Sequence, residues 1–157
     1  MRLAFYQPDI PQNLGAALRL SACFGTPLDI IDPCGFPLTE RALRRSAMDY
    51  QAHVEVTRHA SFVAFMTQQE KRSGRLILIE TDGAVGLYDA VFGANDTLIL
   101  GRESAGSPPE VRAAADAIVR IPMVAGMRSL NVAMAAGIAL AEALRQTGGM
   151  AQLGGGA

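Results

Sequence analysis

The sequence predicts an α/β domain built on a mostly parallel sheet flanked by helices. Two observations carry this. Short apolar runs bounded by Gly, Pro or Asp recur along the chain, and longer segments with helical spacing separate them. Alternation of this kind is the pattern of a sheet covered on both faces. A third observation sets the size: 157 residues with 50% hydrophobic content suffice for one core and one domain.

The element assignments follow in order. Residues 3–6, 28–31, 76–80, 97–101 and 117–121 read as buried strands, and 53–57 as a weaker one. Residues 13–24, 39–47, 61–71, 109–115 and 130–145 read as helices. Asn13 is expected to cap the first helix after Pro11, with Gly25 as its stop. Ser129 or Asn131 is expected to cap the last helix, whose body VAMAAGIALAEAL is rich in small residues and lets another backbone approach. Residues 1–147 form the expected single domain, and the glycine-rich residues 148–157 the expected flexible tail.

Composition narrows the function. A net charge of −1 excludes a uniformly basic nucleic-acid binder but leaves room for a local patch. Arg41, Arg44 and Arg45 form such a cluster, and a solvated helix face is the plainer reading of it. The low charged fraction of 18% suggests a surface covered by a second copy of the chain. Cys23 and Cys34 lack metal-ligand or disulfide spacing, and the longest charge-free C-terminal run, 129–141, falls short of the about 20 residues that span a bilayer. These features predict a soluble, cytoplasmic protein without a membrane anchor or a bound metal.

Three segments could carry chemistry. Arg19 is the only charge between Ile10 and Gly25, four residues after Gly15 and flanked by small side chains. It suits a phosphate grip, and a structural pair with a carboxylate such as Asp9 is an equal alternative. Residues 98–108 run from a strand into a loop with Gly101 and Gly106, where the backbone can approach a ligand, and Glu103 adds a carboxylate. Residues 121–131 form a second strand end, with apolar Ile121 and Met123 and a loop that delivers Ser129 and Asn131. Other motifs fail on particular residues. Ser107-Pro108 stands where a P-loop needs Lys-Ser/Thr, Arg102 where a nucleophile elbow needs Gly, and the first strand has no GxGxxG.

Taken together, Asn13-x-Gly15-x-x-x-Arg19, Leu100-Gly-Arg-Glu-Ser-Ala-Gly106, Ile121-Pro-Met123 and Ser129-Leu-Asn131 resemble the SPOUT methyltransferases, in the branch that methylates ribose. The stretches from Asp32 to Phe36 and from Leu43 to Tyr50 are similar to those of the tRNA (cytidine(34)-2′-O)-methyltransferases. The resemblance covers residues 1–147. It implies a SPOUT fold with a C-terminal trefoil knot, a homodimer, and tRNA rather than DNA as partner, methylated at the wobble ribose. It implies S-adenosyl-L-methionine as cofactor, contacted by Ile79, Gly101, Gly106, Ile121, Met123 and Ser129. Arg19, Asn13, Glu103, Ser129 and Asn131 would serve catalysis, with Arg19 meeting RNA, and the basic cluster of Arg41, Arg44 and Arg45 is a candidate for further RNA backbone contact. The sequence departs from common patterns of the family at Arg102, Ala133 and Ala141. A sibling enzyme acting on another tRNA or rRNA site, or a non-catalytic RNA- or cofactor-binding module, are the competing readings.

Overall fold

The computed structural model describes residues 1–39 and 53–153. Strand β1 (Arg2–Tyr6), helix α1 (Pro11–Cys23), β2 (Leu28–Ile31), β3 (Val56–His59) and α2 (Phe62–Gln69) form the first half. Then follow β4 (Leu76–Ile79), β5 (Val85–Gly86), β6 (Thr97–Leu100), α3 (Pro109–Ala114), β7 (Ala117–Arg120) and α4 (Val132–Gln146). A 3₁₀ turn over Gly149–Gln152 comes after α4. The expected helix over 39–47 and the Arg41, Arg44 and Arg45 cluster lie outside the described residues.

All seven strands pair in parallel, in the order β3-β2-β1-β6-β4-β7-β5. The chain winds outward from β1 to β3, then resumes on the other side with β6 inserted between β1 and β4. The order therefore reverses at β1, and in open parallel sheets a crevice forms beside such a reversal, at the carboxyl ends of the strands.

Alternating side chains of the strands supply two cores. On one face Leu3, Phe5, Ile30, Ile77, Leu98 and Leu100 meet Leu14 and Leu18 of α1 and Ala136, Leu140 and Ala143 of α4. On the other, Ala4, Ile31, Leu78 and Ile99 meet Phe65 of α2 and Val111 of α3. Burial on both faces is why these strands read as continuous apolar runs.

Asp29 breaks that pattern, since it is fully buried in the run LDII. Its carboxylate accepts from Arg2 Nε at 2.9 Å and Arg72 Nη1 at 3.1 Å, and lies 2.7 Å from His59 Nε2. Burial pushes its pKa up, but these three partners outweigh burial and hold it below the ordinary value of 3.8. This network explains the shift of β3 from the expected 53–57 to Val56–His59. Pairing Ile31 with His59 seats the imidazole against Asp29.

Helix ends follow local chemistry, with one correction. α1 begins two residues earlier than expected, at Pro11, with Ile10 as N-cap and no side-chain cap. Proline suits the first helical position because its missing N–H has no partner to lose. Asn13 is therefore not the cap, and its side chain is free for other bonds. Ser61 caps α2 through Ala64 N at 3.2 Å. Asn131 caps α4, accepting from Ala133 N at 2.9 Å and Met134 N at 3.2 Å.

Candidate active site

The carboxyl ends of β4, β6 and β7 open into a cleft of about 320 Å³, within the size range of small-molecule sites. Ile79, Leu100, Ile121 and Met123 give it apolar walls. Gly101, Gly106 and the segment 129–132 contribute backbone, and Asn13, Glu103, Ser129 and Asn131 contribute polar groups. Each strand ends as its apolar run gives way to turn residues, so these loops converge because the strands above them are parallel neighbours.

Gly101 sets how closely the loop packs. A Cβ there would stand 2.7 Å from the Gly106 carbonyl carbon and 2.8 Å from Ser107 N, and would also strike Ser107 Oγ. The loop folds back on itself through paired backbone bonds between Arg102 and Gly106 (3.1 and 2.8 Å), with Gly106 at φ +67°. That left-handed conformation suits glycine. Glu80 closes the base of the loop by accepting from Ser107 N at 3.2 Å.

A polar relay crosses the mouth of the cleft. Asn131, its Oδ1 occupied in capping α4, donates Nδ2 to Asn13 Oδ1 at 2.7 Å. Asn13 in turn donates Nδ2 to Glu103 Oε1 at 3.0 Å. Glu103 Oε2 accepts from Asp9 N at 3.0 Å. Burial, and after it the neighbouring Asp9 carboxyl, push the Glu103 pKa above its ordinary 4.5. Asp9 is held below its ordinary 3.8: it shares the site with the Glu103 carboxyl, whose own pKa is raised, and against burial the Ser104 hydroxyl, the Glu103 N–H and Arg102 favour its charged form.

The structure gathers the expected residues into two adjoining places. Ile79, Gly101, Gly106, Ile121, Met123, Ser129, Asn13, Glu103 and Asn131 all line the cleft. Arg19 does not. It is exposed on α1, six residues beyond Asn13, and so roughly 9 Å further along the helix axis. It lines a shallower groove between α1 and α4 with Gly15, Leu20, Met134, Ile138 and Ala141. Asn131 borders both places. Asp9, the carboxylate considered for Arg19, is engaged by residues 102–104. Sequence reasoning missed Glu80 and Thr81, which also line the cleft. A polar pair directly after an apolar strand was the available signal. Among the described residues no group of three His, Cys, Asp or Glu side chains is placed to hold a metal, and no helix is long and apolar enough to cross a membrane.

A reversed parallel sheet with a glycine-lined cleft at its strand ends, bordered by Asn13, Glu103 and Asn131, defines an enzyme of the SPOUT methyltransferase class. The chain belongs to the SpoU rRNA Methylase family, whose model matches residues 1–141. It is 51% identical over 151 residues to a tRNA (cytidine(34)-2′-O)-methyltransferase of Beijerinckia indica subsp. indica, covering 96% of this chain and 94% of that one. A solved structure described as giving insights into the 2-OH methylation of C/U34 on tRNA matches with a TM-score of 0.86 and 42% identity. The match covers 92% of this chain and 94% of the other. The SpoU methyltransferase AviRb from Streptomyces viridochromogenes, solved in complex with the cofactor AdoMet, matches with a TM-score of 0.84 and 26% identity. That match covers 93% of this chain and 60% of AviRb.

The cleft fits such a cofactor on its own geometry. Its apolar walls suit an adenosine, the backbone at Gly101 leaves no room for a Cβ, and Gly106 takes a left-handed conformation that brings the loop's own backbone to the cleft.

Proposed function

We propose that the protein methylates the 2′-hydroxyl of the wobble nucleotide of tRNA, a cytidine or modified uridine at position 34, using S-adenosyl-L-methionine, and that it acts as a cytoplasmic homodimer. The observation that carries this reading is the relay Glu103–Asn13–Asn131, which joins the cofactor cleft to the helix that bears Arg19. The Beijerinckia relative and the C/U34 structure, both matching almost end to end, support the choice of substrate.

The cofactor supplies a methyl group already activated by its sulfonium. The chain's task is to align a ribose oxygen and remove its proton, and alignment alone can contribute several kcal/mol, roughly 7–11 at the upper end. Ile79, Ile121 and Met123 would hold the cofactor against the apolar walls of the cleft, and Gly101, Gly106 and Ser129 would meet it along the loops. Glu103 fixes the amide of Asn13, and Asn131 fixes its carbonyl, so Asn13 presents one orientation. Arg19 stays protonated and cannot serve as a base. It grips an RNA phosphate and polarises the 2′-hydroxyl, and the phosphate oxygen takes the proton. Arg41, Arg44 and Arg45 extend the RNA contact.

The exposed groove between α1 and α4, with Met134 62% exposed, supports the dimer. Residues 1–147, with the trefoil knot of the family, are the working unit, and 148–157 are dispensable. The test is nucleoside mass spectrometry of tRNA from a deletion strain, with Arg19→Ala assayed alongside. Loss of the 2′-O-methyl mark at position 34, and an Arg19→Ala protein that binds cofactor but does not turn over, support the reading. A mark lost elsewhere, or full turnover by Arg19→Ala, overturns it.

A further inference from the structure

Asp9 sits between two segments that meet the cleft from opposite sides. Its Oδ1 accepts from Glu103 N at 3.2 Å, its Oδ2 accepts from the Ser104 hydroxyl, and Arg102 Nε lies 3.5 Å from Oδ2. In return its own N–H donates to Glu103 Oε2 at 3.0 Å. Residues 9 and 103 therefore hold each other reciprocally, each backbone N–H bonded to the other's carboxylate. Ninety-four positions of sequence separate them, so the closure is tertiary rather than a local turn.

The second side is the turn after β2. Gly35 N donates to Pro8 O at 3.0 Å. A Cβ at Gly35 would stand 2.6 Å from Asp9 Cβ and 2.9 Å from Asp9 Cα. Glycine therefore lets this turn pack directly against the backbone of Asp9, whose side chain reaches residues 102–104. Arg58 secures the same turn through Asp32 and, at 2.8 Å, the Leu38 carbonyl.

We propose that Asp9 is a positioning residue of the methyl-transfer site: it locks the 101–106 loop against α1 and so keeps Glu103 aimed at Asn13. The proposal rests on the cofactor and substrate assignment above. Asp9 lines neither the cleft nor Arg19's groove, so it acts through residues 102–104, of which Arg102 and Glu103 line the cleft.

The titratable groups acting on Glu103 are Asp9 from the β1–α1 connection and Cys34 from the turn after β2, while Arg102 of the same loop pairs with Asp9. Glu103 accepts from both Asn13 and Asp9, and those two bonds favour its carboxylate form. Neutralising Asp9 removes one cause of its upward shift, and the carboxylate then survives to lower pH.

The test compares wild type, Asp9→Asn, Asp9→Ala and Ser104→Ala in cofactor-product binding by calorimetry and in the pH profile of kcat/KM on tRNA. Losing a hydrogen bond to a charged group is expected to weaken S-adenosylhomocysteine binding about tenfold or more in Asp9→Ala. Asp9→Asn, which retains an acceptor for Glu103 N, recovers part of that loss and moves the acid limb of the profile to lower pH. Ser104→Ala, a change on an exposed loop, shows a smaller loss in the same direction and covers the case of Asp9→Ala failing to fold. Binding within twofold of wild type in Asp9→Asn and Ser104→Ala, with the acid limb unmoved, overturns the proposal. A wild type that binds the product but methylates no tRNA refutes the functional assignment instead.

Discussion

Replacing Asn13 by alanine tests the relay most directly. The substitution deletes the bond to Glu103 Oε1 at 3.0 Å and the bond from Asn131 Nδ2 at 2.7 Å. Asn13 is only 8% exposed, so water does not simply take its place. Losing the bond to the half-buried Glu103 carboxylate costs about 1.5–3 kcal/mol, and losing the neutral one about 0.5–1.5 kcal/mol. The total is about 2–4.5 kcal/mol. For a chain of this size each kcal/mol moves Tm by about 2–4 °C, so a fall of roughly 4–18 °C is expected. Scanning calorimetry measures it, with a methyl-transfer assay on the same preparation. Asn131→Ala should overlap with Asn13→Ala rather than add to it in full, because the two share a bond. A Tm within about 2 °C of wild type would show that the relay contributes no stability, and undiminished turnover would show that it does not position the site.

Other consequences are equally specific. Gly101→Ala forces a Cβ onto backbone atoms of Gly106 and Ser107, an overpacking cost of about 1–3 kcal/mol. Cofactor-product binding by calorimetry should fall at least tenfold, and unchanged binding would mean the loop moves freely. Asp29→Asn strips the charge from a buried network with Arg2 and Arg72 and should cost about 3–5 kcal/mol at neutral pH. The Asp29 pKa lies below its unfolded value of 3.8, so the unfolded chain takes up protons first as pH falls. Wild type therefore keeps its advantage above about pH 4 and loses it below, and Tm curves of the two proteins should converge in acid. Cys34, pushed up to about 12 by burial and then by Asp32, should resist iodoacetamide at pH 8, and rapid labelling would contradict its environment. Charge reversal at Arg41, Arg44 and Arg45 should flatten the salt dependence of tRNA binding, whereas a slope equal to wild type's would remove them from the interface.

The strands were legible because a parallel sheet buried on both faces must use unbroken apolar runs, as Leu76–Ile79 and Thr97–Leu100 do. β5, two residues at the sheet edge, leaves no such trace. The start of α1 was misplaced because Asn13 is a good cap by type, while its amide is committed to tertiary partners that sequence spacing does not reveal. The loops of the cleft were readable as glycine-flanked strand ends. Their convergence was not, since it depends on β6 being inserted between β1 and β4. Asp9 was considered only as a partner for Arg19, and its real partners were hidden for the same reason. Its partners lie at residues 102–104, and only the paired strands β1 and β6 bring them within reach.

The cap of α4 has a consequence that reaches beyond the helix. Asn131 Oδ1 accepts from two backbone N–H groups, so its amide nitrogen has no choice but to face Asn13. Asn13 must then accept with oxygen and donate with nitrogen, and Glu103 must receive. The direction of every bond across the cleft's mouth is dictated by the one helix end whose orphan donors need an oxygen. The polarity of the site, with Glu103 at its accepting end, is thus set by backbone geometry rather than by the side chains that line it.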